Sequence, residues 1–331
     1  MKILYIHSAE NHHQYYNNYM NDLLLHGLRE LYGNDVIDYP GCWYLYNDEI
    51  KKRDYEKERF WGKGFTIKNI LGNFNSIDRE DIRQKIRCKY FELVIYGSIR
   101  RSDLFLDDVV KYNNRFIFID GEDDNFIESK YSNLGLYFKR ELLSKNSKIK
   151  PISFAIPKSK ILSKINYEPK NILAPLIPGK LNTYIYDNEN SYYEMYQKSI
   201  FALTYKKAGW DCLRHYEILM NGCIPLFLDI KNCPTNCIST LPKEKLIDFL
   251  NEFDKIFSLY NPFKIFKKKH LTFHRVLTLF KFNNAKSNLE FFIKENEKVF
   301  ELKRDLLDFT KKNLTTEILA KYILEKFKKY K

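Results

Sequence analysis

Short unbroken apolar runs alternate with segments of helical period along most of this chain, and that alternation restricts its fold more than any other feature. "MKILYIHS" reads as a buried strand, and a helix from about Gln14 to Tyr32 follows it, with Leu23, Leu24, Leu28 and Leu31 near helical spacing. "NDVIDYP" is a second short strand. "SIDREDIRQKI" opens a helix on a Ser/Asp cap, and "FELVIYGS", "RSDLFLDDVVKYNN" and "RFIFIDGEDD" continue as strand, helix and strand. Strands without an exposed face, separated by helices, predict a parallel sheet covered on both sides.

The pattern restarts after Pro151 and Pro157. "LYFKREL" and "KPISFAIPKS" close the first half as extended segments, then "NILAPLIPG", "NSYYEMYQKS", "IFALTY", "DCLRHYEILMN" and "CIPLFLD" read as strand, helix, strand, helix, strand. Two α/β units predict two Rossmann-like, doubly wound domains, residues 1–155 and 156–310, facing each other across a cleft. The last third is helical. Within it, residues 311–331 form a terminal helix with an apolar stripe of Ile318, Tyr322 and Ile323, expected to pack back on the N-terminal domain.

Composition removes several classes. Hydrophobic residues at 44% exclude a disordered chain, and no run approaches the roughly 18 apolar residues of a membrane span. Six cysteines scattered over 331 residues without a signal peptide read as thiols of a cytoplasmic protein, not as a disulfide framework. Cys233 and Cys237 lack a second ligand pair, so no metal is expected there. The net charge of +13 is concentrated late, with 18 Lys/Arg against 8 Asp/Glu in residues 261–331. Such a field suits peripheral contact with an anionic membrane or with phosphate-bearing ligands. A solvated, lysine-rich surface is the alternative, and neither aromatic RNA signatures nor finger spacings point to specific nucleic acid.

The stretch "KKAGWDCLRHYEILMNGCIPLFLD" concentrates the chemistry. A helix starting at Asp211 or its neighbour turns its first amides toward the strand ends, where a helix N-terminus favours phosphate. Lys206 and Lys207 lie on the preceding loop, Arg214 offers a planar fork for a diphosphate, and Glu217 one turn on can accept two ribose hydroxyls. An ordinary solvated helix face is the competing reading. Lys139 and Arg140 of "FKREL" could reach the same phosphates across the cleft, with an exposed strand edge the equal alternative.

"FIDGEDD" sets Asp120, Glu122, Asp123 and Asp124 at the end of a strand, where neighbouring carboxylates raise one another's pKa. Asp120 first, and Glu122 second, could then remove a proton from an acceptor hydroxyl. His7, at the end of the first strand, is a further candidate base or acceptor contact, with a satisfied structural histidine the equal alternative. The same acids could instead hold a divalent ion on a donor diphosphate, or simply form a solvated turn. No Walker loop, Gly-x-Gly-x-x-Gly, zincin or nucleophile-elbow motif is present, which argues against kinase, dehydrogenase, metalloprotease and α/β-hydrolase chemistry.

"GWDCLRHYEILMNGCIPLFLD" resembles the donor-binding segment of GT-B glycosyltransferases, most closely the exostosin-like and related bacterial group, in which an Arg-x-x-Glu helix precedes Gly-Cys-Ile-Pro and a strand. The likeness covers about residues 170–235. It implies a two-Rossmann GT-B fold that binds a nucleotide-diphosphate sugar in the C-terminal half and a glycan or lipid-linked acceptor in the N-terminal half, with no required cofactor or metal. Glu217 would hold the ribose and Arg214 the diphosphate, while Gly222 to Pro225 would form the close helix-strand turn. Many retaining members carry a second Glu eight residues before the ribose Glu. Here that position is Gly209, which leaves the stereochemistry open. A metal-dependent GT-A-type transferase using Asp120 to Asp124, and a non-enzymatic basic module binding glycan or nucleic acid, are the rival expectations.

Overall fold

The computed structural model describes residues 1–8, 18–50, 60–165, 168–259 and 297–330. Six parallel strands, β1 (Ile3–Ile6), β2 (Val36–Tyr39), β3 (Leu93–Tyr96), β4 (Phe116–Asp120), β5 (Leu136–Lys139) and β6 (Ile149–Pro151), form one sheet in the order β2-β1-β3-β4-β5-β6. Three more, β7 (Asn171–Leu173), β8 (Ser199–Thr204) and β9 (Ile224–Phe227), form a second parallel sheet in sequence order. The architecture is Rossmann-like α/β, and the expected restart of the pattern corresponds to the second sheet.

Period-2 alternation explains why the strands lack a polar face. On β1, Ile3 and Tyr5 enter one core while Leu4 and Ile6 enter another on the opposite side. The first core takes the apolar stripe of α1 (Tyr19–Tyr32), with Leu24 and Leu28. Beyond the four-residue α2 (Asn47–Ile50), the second core takes Ile82 and Ile86 of α3 (Ile82–Arg87) and Leu106 and Val109 of α4 (Leu106–Tyr112). Helices on both faces make the sheet doubly wound. After the single-turn α5 (Ser129–Ser132), the smaller sheet packs with α6 (Glu189–Gln197), α7 (Leu213–Met220) and α8 (Lys243–Leu259).

The last two described helices, α9 (Glu297–Asn313) and α10 (Thr316–Lys328), return the chain across both lobes. In α9, Lys303 is buried and its Nζ donates to the carbonyl of Ser199 at the start of β8, 3.1 Å away. Thr315 caps α10 by accepting from Ile318 N at 3.4 Å, and Lys326 and Lys328 sit in its last turn, where the helix dipole favours cations. Leu319, Ala320, Ile323 and Leu324 then bury against α1, each large side chain contributing about 1.5–3 kcal/mol. Contact with α1 is close because Gly27 has no side chain: a β-carbon there would lie 1.9 Å from the Thr316 carbonyl oxygen. One apolar core runs from Ile3 and Leu24 through Phe154 and Tyr216 to Ile224 and Ile323, so the two sheets share a seam.

Most of the basic third, residues 260–296, lies outside the described residues, as do His12, His13, His270 and His274. No helix among the described residues is long and apolar enough to cross a membrane.

Candidate functional site

Loops at the C-terminal ends of β7, β8 and β9 are drawn together by three hydrogen bonds. Tyr205 Oη donates to the Pro178 carbonyl at 2.8 Å, Lys206 N donates to Asp229 Oδ1 at 3.2 Å, and Arg214 Nη2 donates to Tyr184 Oη at 3.1 Å. The second sheet thus presents one polar edge. Lys206 and Lys207 are exposed on it, with their ammonium groups 5.3 Å and 5.8 Å from the ring centroids of Trp210 and Tyr205. Arg214 sits in the first turn of α7, whose N-cap is Cys212 rather than Asp211. The Cys212 side chain supplies no capping bond. One guanidinium nitrogen, Arg214 Nη1, is buried without a hydrogen-bond partner among the described residues. Leu181 and Ile185, on the β7–α6 loop, are 86% and 69% exposed and give the edge an apolar rim.

The remaining expected donor residues do something else. Glu217 is buried, its Oε1 accepting from Thr66 Oγ1 at 2.5 Å and its Oε2 from Tyr192 Oη at 2.6 Å, and burial raises its pKa. With both oxygens engaged, it bridges the first lobe to α6 and does not offer a bidentate reader for a ribose. Asp211 is likewise buried: Oδ1 accepts from Tyr216 Oη and Oδ2 from Phe154 N, each at 2.9 Å. Burial pushes its pKa up to about 7, although the nearby Arg140 guanidinium works against the rise.

A carboxylate already occupies the turn before α7. Glu141, following β5, accepts from Trp210 N and Asp211 N at 2.9 Å each, near the positive end of the helix. Its approach explains Gly209, where a β-carbon would meet Glu141 Oε1 at 2.6 Å. Any larger residue there, including the Glu of the retaining pattern, would displace the contact between the lobes.

Lys139 and Arg140, expected to aim at phosphates, are buried and spent on protein. Strand register sets Asp120 beside Lys139, whose Nζ lies 2.9 Å from Asp120 Oδ1. Arg140 Nε donates to the Gly121 carbonyl at 2.8 Å, and its two terminal nitrogens bond to the Asp211 carbonyl and to Asp123.

Every acid of "FIDGEDD" is matched by a cation. Asp120 also accepts from Tyr137 Oη at 2.7 Å and from Glu122 N at 3.1 Å. Arg101 holds Glu122 with two bonds, Nε to Oε1 at 2.5 Å and Nη2 to Oε2 at 3.1 Å. Arg100 lies 2.6 Å from Asp124 and, with Lys139, holds that carboxyl below its usual range. These carboxylates are therefore fixed acceptors, and the arrangement favours neither Asp120 nor Glu122 as a base nor the cluster as a metal cradle. His7 is buried too. Its Nε2 faces Asp22 Oδ1 at 2.9 Å and its Nδ1 faces the Ser8 carbonyl at 3.1 Å, so neither ring nitrogen is presented to an acceptor substrate.

The structure thus brings Lys206, Lys207 and Arg214 to one edge and places Asp120, Glu122, His7, Lys139, Arg140, Asp211 and Glu217 in internal networks. Sequence reasoning missed Glu141, Thr66, Tyr184 and Tyr192. The one available signal was the matched charge of "FIDGEDD" and "FKREL" at the ends of successive strands. A scan against protein-family models finds no match, and comparisons with curated proteins and with solved structures find none either.

Proposed function

We propose that the chain is a glycosyltransferase of GT-B type, which moves a sugar from a nucleotide-diphosphate donor to a hydroxyl of a glycan or lipid-linked acceptor. The observation that carries the reading is Arg214, whose buried Nη1 has no hydrogen-bond partner among the described residues, in the first turn of α7, just after the exposed Lys206 and Lys207. A buried guanidinium donor left unsatisfied costs about 1–3 kcal/mol or more, and a diphosphate oxygen would satisfy it with a charge-assisted bond. In the transfer, the acceptor oxygen bonds to the anomeric carbon as the bond from that carbon to the diphosphate oxygen breaks, and the hydroxyl proton passes to the departing diphosphate. Negative charge grows on the leaving diphosphate, and fixed cations at this edge stabilise that change. Ligands of open α/β sheets bind beyond the carboxyl ends of parallel strands, which is where these residues lie.

Thermal denaturation with UDP-, GDP- and dTDP-sugars, and a CMP-sugar as monophosphate contrast, tests the reading. A nucleotide at a hundred times its Kd stabilises the folded chain by about 2.7 kcal/mol, and Arg214→Ala should abolish that shift while leaving the unliganded midpoint near its original value. Absence of a shift with every donor at millimolar concentration would remove the transferase reading.

A further inference from the structure

A second constellation lies at the end of β1, in the six-stranded lobe. His7 follows β1, Asp22 belongs to α1 and Cys42 follows β2, so three separate elements each contribute one side chain. The imidazole nitrogen, a carboxylate oxygen and the thiol sulfur lie within 4.8 Å of one another. All three residues are buried, with relative exposures of 2%, 0% and 2%.

Surrounding groups orient them as metal ligands are oriented. His7 Nδ1 faces the Ser8 carbonyl at 3.1 Å; a proton held there leaves the lone pair of Nε2 directed at Asp22. A backbone carbonyl on the far nitrogen is the common outer support of a metal-bound histidine. Asp22 is fixed on both oxygens, Oδ2 accepting from Asn18 N at 3.1 Å and Oδ1 from Tyr44 Oη at 2.9 Å. Imidazole, carboxylate and thiolate together suit a borderline-soft divalent ion. Calcium and magnesium, which take oxygen ligands, do not select a thiolate.

We propose that His7 Nε2, Asp22 and Cys42 Sγ bind a zinc ion that clamps β1, α1 and the segment after β2. Zinc bonds of about 2.0–2.1 Å to nitrogen and oxygen in a tetrahedral site set a ligand edge of about 3.3 Å. The Nε2 to Oδ1 separation of 2.9 Å therefore opens by a few tenths of an ångström when the ion replaces the shared proton. Zinc neutralises the carboxylate and the thiolate, which a buried site requires. The clamp is independent of the transferase reading and lies in the other lobe.

Metal analysis of the full chain, purified without chelator, should find close to one zinc per chain. Chelation should lower the thermal midpoint, and added zinc should restore it. Cobalt in place of zinc should give a near-ultraviolet thiolate charge-transfer band that survives in Cys88→Ser and disappears in Cys42→Ser. His7→Gln should weaken cobalt binding at least about tenfold. If Cys42→Ser does not fold, the wild-type zinc content and its chelator response decide the matter. Failure of the wild-type chain to take up either metal, or persistence of the band in folded Cys42→Ser, would overturn the proposal.

Discussion

Glu141 and Asp211 hold each other across the seam between the two sheets: Glu141 Oε1 accepts the Asp211 amide at 2.9 Å, while the Asp211 carbonyl receives Arg140, the neighbour of Glu141. Truncation at Glu141 strands the buried amides of Trp210 and Asp211 as well as a side of the Arg140 guanidinium. Glu141→Ala should therefore lose about 3 kcal/mol of stability in urea denaturation, with Glu141→Gln losing less because one acceptor remains. An unchanged midpoint in Glu141→Ala would show that this contact does not join the lobes.

Asp211 should give the stability a pH dependence of unusual sign for a carboxyl group. Its folded pKa of about 7 exceeds the unfolded value of about 3.9, so between those limits the folded chain holds more protons and its stability falls as pH rises, by at most about 1.4 kcal/mol per unit. His26 and His215 oppose this. Burial lowers them to about 4 and about 3, so below about pH 6.5 the unfolded chain binds more protons and stability falls as pH falls. Comparing wild type with Asp211→Asn from about pH 5 to 8 isolates the carboxyl contribution: relative to the variant, the wild type should weaken toward the alkaline end. Parallel curves would refute the assignment.

Gly27→Ala places a methyl 1.9 Å from the Thr316 carbonyl oxygen and 3.1 Å from Thr316 Cβ, which forces α1 and α10 apart. The separation also disturbs the 2.8 Å bond between His26 Nδ1 and Thr316 Oγ1. Overpacking of this kind costs about 1–3 kcal/mol, to be read as a lowered midpoint in chemical denaturation. A variant as stable as wild type would mean that the two helices separate at no cost.

What the sequence showed well was local. The apolar runs of β1, β3 and β4 each carry a period that burial enforces, so their positions could be read without knowing their neighbours. The stripe of α10 was legible only in part: Ile323 is buried as expected, but Ile318 is 38% exposed, and Leu319 and Leu324 fill the buried face in its place. Pairing was not legible in that way. Asp120 looks like a base in isolation, yet β4–β5 register sets Lys139 beside it; Glu217 looks like a ribose reader, yet Thr66, 151 residues earlier, takes one of its oxygens. Partners chosen by tertiary contact leave no periodic trace. Lys206 and Lys207 do lie on the loop before the helix, as the local pattern indicated, and that loop is exposed.

The union of α1 with α10 bears on how the polypeptide is made. His26 and Thr316 are 290 positions apart, so a ribosome finishes β1, α1 and the rest of the large sheet long before the residues that shield α1 have been synthesised. Until Leu319, Ile323 and Leu324 emerge, the nascent chain carries an uncovered greasy flank, and a stalled or truncated product would expose it.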